Sequence, residues 1–276
     1  MKLSLSGRIA EAEDIKDFSS LDFGSLVQLA ARVGFNAVCV RPTHLTSETP
    51  LERVREMRAI LECHGLAASM VTADSLVPRE GSVPDSGAPL RDLAPILERA
   101  NALGADLIRV GVKTEDDIVW AQRAADQARE YGIRLAQQTH TGTPFETAAG
   151  CKEIIARINR ANFGLILEPA NFALCGEDYG AAALAPVGPS VFNVYVQNLR
   201  VTDRGDSSVE TNRGTVRYER LIIGDPAGID LPRFFDGLSA IAYQGYVTSH
   251  QPAIPGLSER SLCDQVYASL ARFIGP

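Results

Sequence analysis

The stretches GIRLAQQTH at Gly132–His140 and FGLILE at Phe163–Glu168 decide the fold. Each is a short strand-like run that ends on a polar or acidic side chain and is followed by a helical stretch. The same unit recurs along the chain. Strand-like segments fall at Leu3–Ser6, Ala37–Arg41, Ala67–Thr72, Leu107–Val112, Ile133–His140, Phe163–Glu168, Phe192–Asn198 and Tyr246–His250. Helical periodicity appears at Phe23–Val33, Leu51–His64, Leu90–Leu103, Thr114–Tyr131, Pro144–Asn159, Leu231–Ala242 and Glu259–Ile274. Gly34, Gly65, Gly104 and Gly132 each stand between a helix and the next strand, where a residue able to turn left-handed commonly ends a helix. The repetition predicts parallel βαβ units closed into a (β/α)8 TIM barrel, with the polar strand ends gathered at one mouth.

A length of 276 residues suits a single barrel domain over residues 1–276. Two stretches break the rhythm. Ser75–Gly87, rich in Pro, Gly and Ser, is expected to be a loop after the third strand. Arg200–Asp230 is a long excursion after the seventh strand, and its VRYERLIIG segment suggests a short hairpin. Insertions at the C-terminal ends of barrel strands usually build or cover the active site.

The formal charge is −7, with no basic block, which argues against nucleic-acid or anionic-membrane partners and favours a small ligand. The five cysteines are scattered without CxxC spacing and are expected to be free thiols in a reducing compartment. The start of the chain has no secretory or membrane-spanning run, so a cytoplasmic location is the default expectation. Gly-rich phosphate loops are absent, so no nucleotide cofactor is expected. Association into a homo-oligomer is compatible with the sequence.

Side chains alternate faces along a strand, which sorts the candidates. In the fifth strand Leu135 and Gln137 are expected to face the helices, while Ala136, Gln138 and His140 face the axis. In the seventh, Phe192, Val194 and Val196 are expected outside, and Asn193, Tyr195 and Gln197 inside. The fourth strand brings Arg109 and Lys113 to the mouth, and the eighth brings Thr248 and His250. A carboxylate ending an apolar strand is costly to bury unless it is paired, hydrogen-bonded or metal-bound. Glu168 is therefore the leading candidate, with an ion pair to Arg109 or Lys113 as the structural alternative. His44 is placed on the rim. A phosphate on the ligand would meet Arg109, Lys113, Arg41 or Arg200.

These strand ends carry a resemblance. GIRLAQQTHTGTPFET, FGLILEPANF and GDPAGIDLPRFFDGLSAIAYQGYVTSH are similar to the fifth-strand, sixth-strand and closing segments of the sugar phosphate isomerase/epimerase family, the xylose isomerase-like barrels. The resemblance implies a divalent cation held by Glu, Asp, His and Glu from strands five to eight, with the glutamates moving protons of a sugar. In this chain those positions hold Gln138, Glu168, Tyr195 and His250. The family's substrate-contacting histidine becomes Asn171, and another is kept as His140. Only one ligand position keeps a carboxylate, so Zn²⁺ or Mn²⁺ is expected to be weakly held or absent. Its ligand candidates are Glu168, His250 and Gln138, with His140 a further imidazole for Zn²⁺.

Three functions compete. The favoured one is an isomerase, epimerase or related lyase on a carbohydrate, acting by proton transfer next to a carbonyl. Its catalytic candidates are Glu168, His250 and Lys113, and its substrate-binding candidates are His140, Asn171, Gln138, Tyr195, Arg109 and Gln197. The alternative is a sugar- or polyol-binding or scaffold protein that has lost turnover. Metal-assisted phosphodiester cleavage comes third. A hydrolase using Ser249 and His250 is disfavoured, because adjacent strand residues point to opposite faces.

Overall fold

The computed structural model describes residues 1–12, 16–74 and 88–275. Its barrel half opens with β1 (Lys2–Ser6), α1 (Phe23–Val33), β2 (Ala37–Val40), α2 (Leu51–Cys63) and β3 (Ala67–Thr72). Then come α3 (Ala88–Arg91), α4 (Ala94–Leu103), β4 (Leu107–Val110), α5 (Ile118–Glu130), β5 (Arg134–Gln138), α6 (Ala148–Ile158), β6 (Phe163–Leu167) and α7 (Pro169–Leu174). The last part holds α8 (Ala181–Leu184), β7 (Val191–Val196), β8 (Asn198–Val201), β9 (Ser207–Thr211), β10 (Gly214–Leu221), α9 (Leu231–Ala240), β11 (Tyr246–Ser249) and α10 (Glu259–Ala271). Strands β1, β2, β3, β4, β5, β6, β7 and β11 close into a parallel barrel, and the predicted TIM-barrel fold is what is observed. The Ser75–Gly87 loop expected from the sequence lies outside the described residues.

The local signals act as the physics requires. Asp22 caps α1 by accepting a hydrogen bond from the Ser25 amide at 2.7 Å, and Thr147, Asp230 and Ser258 cap α6, α9 and α10 in the same way. Gly34 and Gly104 end their helices at φ +111° and +83°, a region costly for residues with a Cβ. The helix expected over Leu90–Leu103 is split into α3 and α4. The second piece restarts with Pro95 in its first turn, where the missing amide hydrogen costs nothing.

Inside the barrel, Cys39, Met70, Leu107, Ala136, Ile166 and Tyr195 form a buried plug. The helix-facing set, including Leu135, Val194 and Val196, belongs to the larger core between strands and helices. Gln137 also faces outward and is satisfied there: its Oε1 accepts from the Val112 amide and its Nε2 donates to the Gln138 carbonyl. Phe192 departs from the expected alternation. The β6–β7 register runs Leu165↔Val191 and then Ile166↔Asn193, so Phe192 is the extra residue of a bulge and packs against the interior plug. A bulge re-aims the side chain it inserts.

The excursion also differs from expectation. The chain leaves the barrel one residue after β7, and VRYERLIIG is no hairpin by itself. It lies mostly in β10, the central strand of an antiparallel sheet ordered β8-β10-β9. Pairing on both edges satisfies its backbone, which a two-stranded ribbon could do on one side only. Among the described residues no helix is long and apolar enough to cross a membrane.

The bulge generates a prediction at Gly164. A Cβ there would sit 2.7 Å from the Phe192 ring and collide with the Ser190 carbonyl. Gly164→Ala is expected to destabilise the barrel by about 1–3 kcal/mol, the usual cost of overpacking. Urea unfolding of the two proteins checks it, and an unchanged midpoint would contradict the bulge geometry.

Candidate active site at the barrel mouth

A cavity of about 250 Å³ opens at the C-terminal ends of the strands. Below its polar wall lies Glu168, delivered by β6 with no exposed surface. Its carboxylate accepts hydrogen bonds from three side-chain amides: Gln138 Nε2, Gln197 Nε2 and Asn171 Nδ2, the last at 2.8 Å. These donors come from three places. Gln138 ends β5, Asn171 lies in the first turn of α7, and Gln197 bridges β7 and β8. The backbone supports the arrangement, since the Glu168 amide donates to Thr139 Oγ1 at 2.9 Å and Asn171 Nδ2 also donates to the Thr139 carbonyl at 2.8 Å.

The small sheet docks onto this network. Arg220 on β10 donates to Gln197 Oε1 at 3.1 Å and to the Tyr218 hydroxyl at 3.0 Å. Tyr218, Leu199 and Val209 line the cavity beside it, so the excursion covers the mouth. On the opposite wall His250 stacks on Tyr195, with ring centroids 4.1 Å apart, and its Nδ1 lies 3.1 Å from Ser6 Oγ. Tyr195 is fully buried beneath it, its hydroxyl 3.3 Å from Cys39 Sγ. Arg41 sends its Nε to both oxygens of buried Glu11 at 2.8 Å, and Arg8 lies 3.6 Å from the same carboxylate.

Burial dominates the electrostatics. It pushes the Glu168 carboxyl up to about 7, against the amide hydrogen bonds and the Arg109 charge that favour ionisation. It drives His140 down to about 4, and His250 well below the ordinary imidazole value, with the charges of Arg41 and Arg109 adding to the effect on His250. Both imidazoles are therefore neutral at pH 7. The Tyr195 hydroxyl is pushed up by burial and stays protonated.

The sequence-predicted residues divide into groups. Gln138, His140, Asn171, Gln197, Arg109 and His250 line the cavity. Glu168 and Tyr195 lie directly below, touching the lining but not forming it. That corrects the expectation of direct ligand contact for Tyr195, whose ring is covered by His250. Lys113 is exposed on the loop after β4 and does not line the cavity, because its backbone is turned outward to the Asp117 carboxylate at 2.9 Å. The ion pair between Glu168 and Arg109 or Lys113 does not form among the described residues; amides take its place. His44 is not part of the cavity lining, its Nε2 held 3.0 Å from the Leu21 carbonyl. Arg8, Glu11, Lys16, Tyr218 and Arg220 were missed. Arg8 stands just past the polar end of β1, a signal visible in the sequence, whereas nothing local in VRYERLIIG shows that Arg220 reaches Gln197.

The cation implied by the family resemblance fits these residues poorly. Both Glu168 oxygens face N–H donors, the Tyr195 phenol stays protonated, and Arg109 stands within 5.8 Å of the Tyr195 ring. Among the described residues no three His, Cys, Asp or Glu side chains gather as a ligand set. Glu168, His250 and Gln138 therefore make a poor site for Mn²⁺, and equally for Zn²⁺.

No curated protein sequence matches the chain. Among solved structures, a xylose isomerase domain protein from Planctomyces limnophilus superposes with a TM-score of 0.72 at 15% identity, over 99% of this chain and 96% of that one. The IOLI protein, solved with a zinc atom, gives 0.74 at 17% identity over 99% and 98%. D-allulose 3-epimerase from Methylomonas sp. gives 0.68 at 16% identity over 99% and 98%. At such identities the likeness is one of fold. The family described as xylose isomerase-like TIM barrel matches residues 27–262, and the chain belongs to it.

Proposed function

We propose that this protein is an isomerase, epimerase or related lyase acting on a sugar or sugar derivative by proton transfer next to a carbonyl. The observation that carries the proposal is Glu168: a carboxyl held near pH 7 directly under a polar cavity, poised to take up or release a proton. Neutral His250 on the wall supplies the second titratable group. Arg109 is placed to stabilise an enediolate oxygen, and the amides of Gln138, Asn171 and Gln197 suit sugar hydroxyls. Gln138 Oε1 is buried without a partner, an acceptor awaiting a donor. The epimerase fold of the Methylomonas protein agrees with this reading by analogy only. For Glu168 to meet substrate, one capping amide must swing aside on its side-chain torsions. The complete cover of Glu168 is the observation that favours the second reading, a polyol-binding protein without turnover.

Turnover separates the two. On a panel of ketoses, aldoses and their acid and phosphate derivatives, followed by NMR in D₂O for exchange at the α-carbon, the parent protein is expected to exchange at least one substrate. Glu168→Gln is expected to lose roughly 10²–10⁴-fold in rate with little change in affinity. No exchange with any tight ligand would establish the binding-only reading.

The pH dependence follows from the same group. The rate constant kcat/KM should rise with pH through about 7 as Glu168 ionises, while His250 stays neutral throughout. A limb at the ordinary carboxylate value would show that another base is at work.

Stability must respond in the opposite direction. Because folding raises the Glu168 pKa, its contribution is full below about pH 4.5 and is lost as pH rises through about 7. Relative to Glu168→Gln, the parent is expected to lose on the order of 3 kcal/mol across that window. Denaturant unfolding of both proteins at a series of pH values measures the difference, and a flat difference would contradict the raised pKa.

A further inference from the structure

In an acidic chain of net charge −7, the cavity is lined by Arg8, Lys16, Arg41, Arg109 and Arg220, with no carboxylate among the described residues of its lining. Two carboxylates lie behind it. Glu11 is committed to Arg41 and Arg8, and Glu168 is sealed by amides. Arg109 differs from its neighbours. It makes no hydrogen bond or ion pair among the described residues, its Nε is buried and unpartnered, and its guanidinium lies 5.8 Å from the centre of the Tyr195 ring. An unsatisfied N–H on a charged group is costly, and because the half-buried Arg109 lines the cavity, the open side of its guanidinium is available to a ligand anion.

Next to it stands a second orphan of opposite kind. In the β4–β5 register Arg109 lies opposite Ala136, so Gln138, two residues on, projects from the same face of the adjoining strand. Gln138 Oε1 is buried, unpartnered and on the cavity wall. A cationic donor and a neutral acceptor side by side match an oxyanion carrying a neighbouring hydroxyl.

We propose that the cavity selects an anionic hydroxylated ligand, a carboxylate or phosphate ester, whose oxyanion pairs with Arg109 and whose adjacent hydroxyl donates to Gln138. The inference deepens the proposed function by naming the substrate class, yet it stands without turnover.

The test is calorimetric titration of the full chain, purified without added metal, at constant ionic strength. One arm uses D-glycerate and D-gluconate, a second uses D-ribulose 5-phosphate and D-fructose 6-phosphate, and the neutral controls are glycerol, D-ribulose and D-fructose. At least one anionic arm is expected to bind tenfold or more tightly than its neutral counterparts, and the arm that does so names the oxyanion. Arg109→Gln should weaken that binding by roughly ten- to a hundredfold, the loss of a charge-assisted bond. Arg129→Gln, on the exposed side of α5, should leave it unchanged. Should Arg109→Gln fail to fold, Arg109→Lys serves, since it keeps the charge but loses the fork. Equal affinity for neutral and anionic ligands overturns the proposal, as does anion binding that is insensitive to a folded Arg109 variant. So does stoichiometric tight binding of Mn²⁺ or Zn²⁺ to the parent. Anion binding without α-carbon exchange would sink the proposed enzyme activity and leave this inference standing; exchange of a neutral sugar without anion preference would do the reverse.

Discussion

The carboxylate of Glu168, held inside the barrel by amide donors, is the interaction around which the mouth is organised. Removing an ionised carboxylate from water costs several kcal/mol unless its lone pairs are met. Here they are met by Gln138, Asn171 and Gln197, which belong to three separate elements. Satisfying one group therefore fixes the end of β5, the first turn of α7 and the exit of β7. Amide donors meet the carboxylate without neutralising it, which leaves burial free to hold its pKa near 7.

The same network reaches the covering sheet. Gln197 gives its amide hydrogen to Glu168 and takes one from Arg220, so β10 is tied to β6 through a single side chain. The position of that sheet therefore helps to set the surroundings of Glu168.

Charge at the mouth opposes charge on the chain. A net negative protein with a cationic concavity concentrates field lines in the opening, because low-dielectric walls focus them. Glu11 pairs with Arg41 and lies beside Arg8, keeping those arginines buried and ordered. Arg109 makes no ion pair or hydrogen bond among the described residues, although Glu168 lies close enough for its charge to be felt.

The sequence by itself determined the barrel and most of its inward-facing set. Strand alternation, the glycines at helix ends and the polar strand termini are local properties, and local sterics and hydrogen bonding act on them before any packing does. Alternation thus predicts one shared inward face, on which Ala136 and Tyr195 lie in the interior plug and Gln138 and Gln197 line the cavity above it. Tertiary structure decided the rest. The bulge that turns Phe192 inward depends on how two strands pair, and the commitment of Arg220 to Gln197 depends on where a sheet from a distant segment docks. Lys113 carries the same charge as Arg109 four residues earlier, yet a loop turned outward leaves it exposed, while the strand carries Arg109 inward. Burial, pairing and the pKa near 7 are sums over neighbours far apart in the chain, and such sums exist only once the barrel has closed.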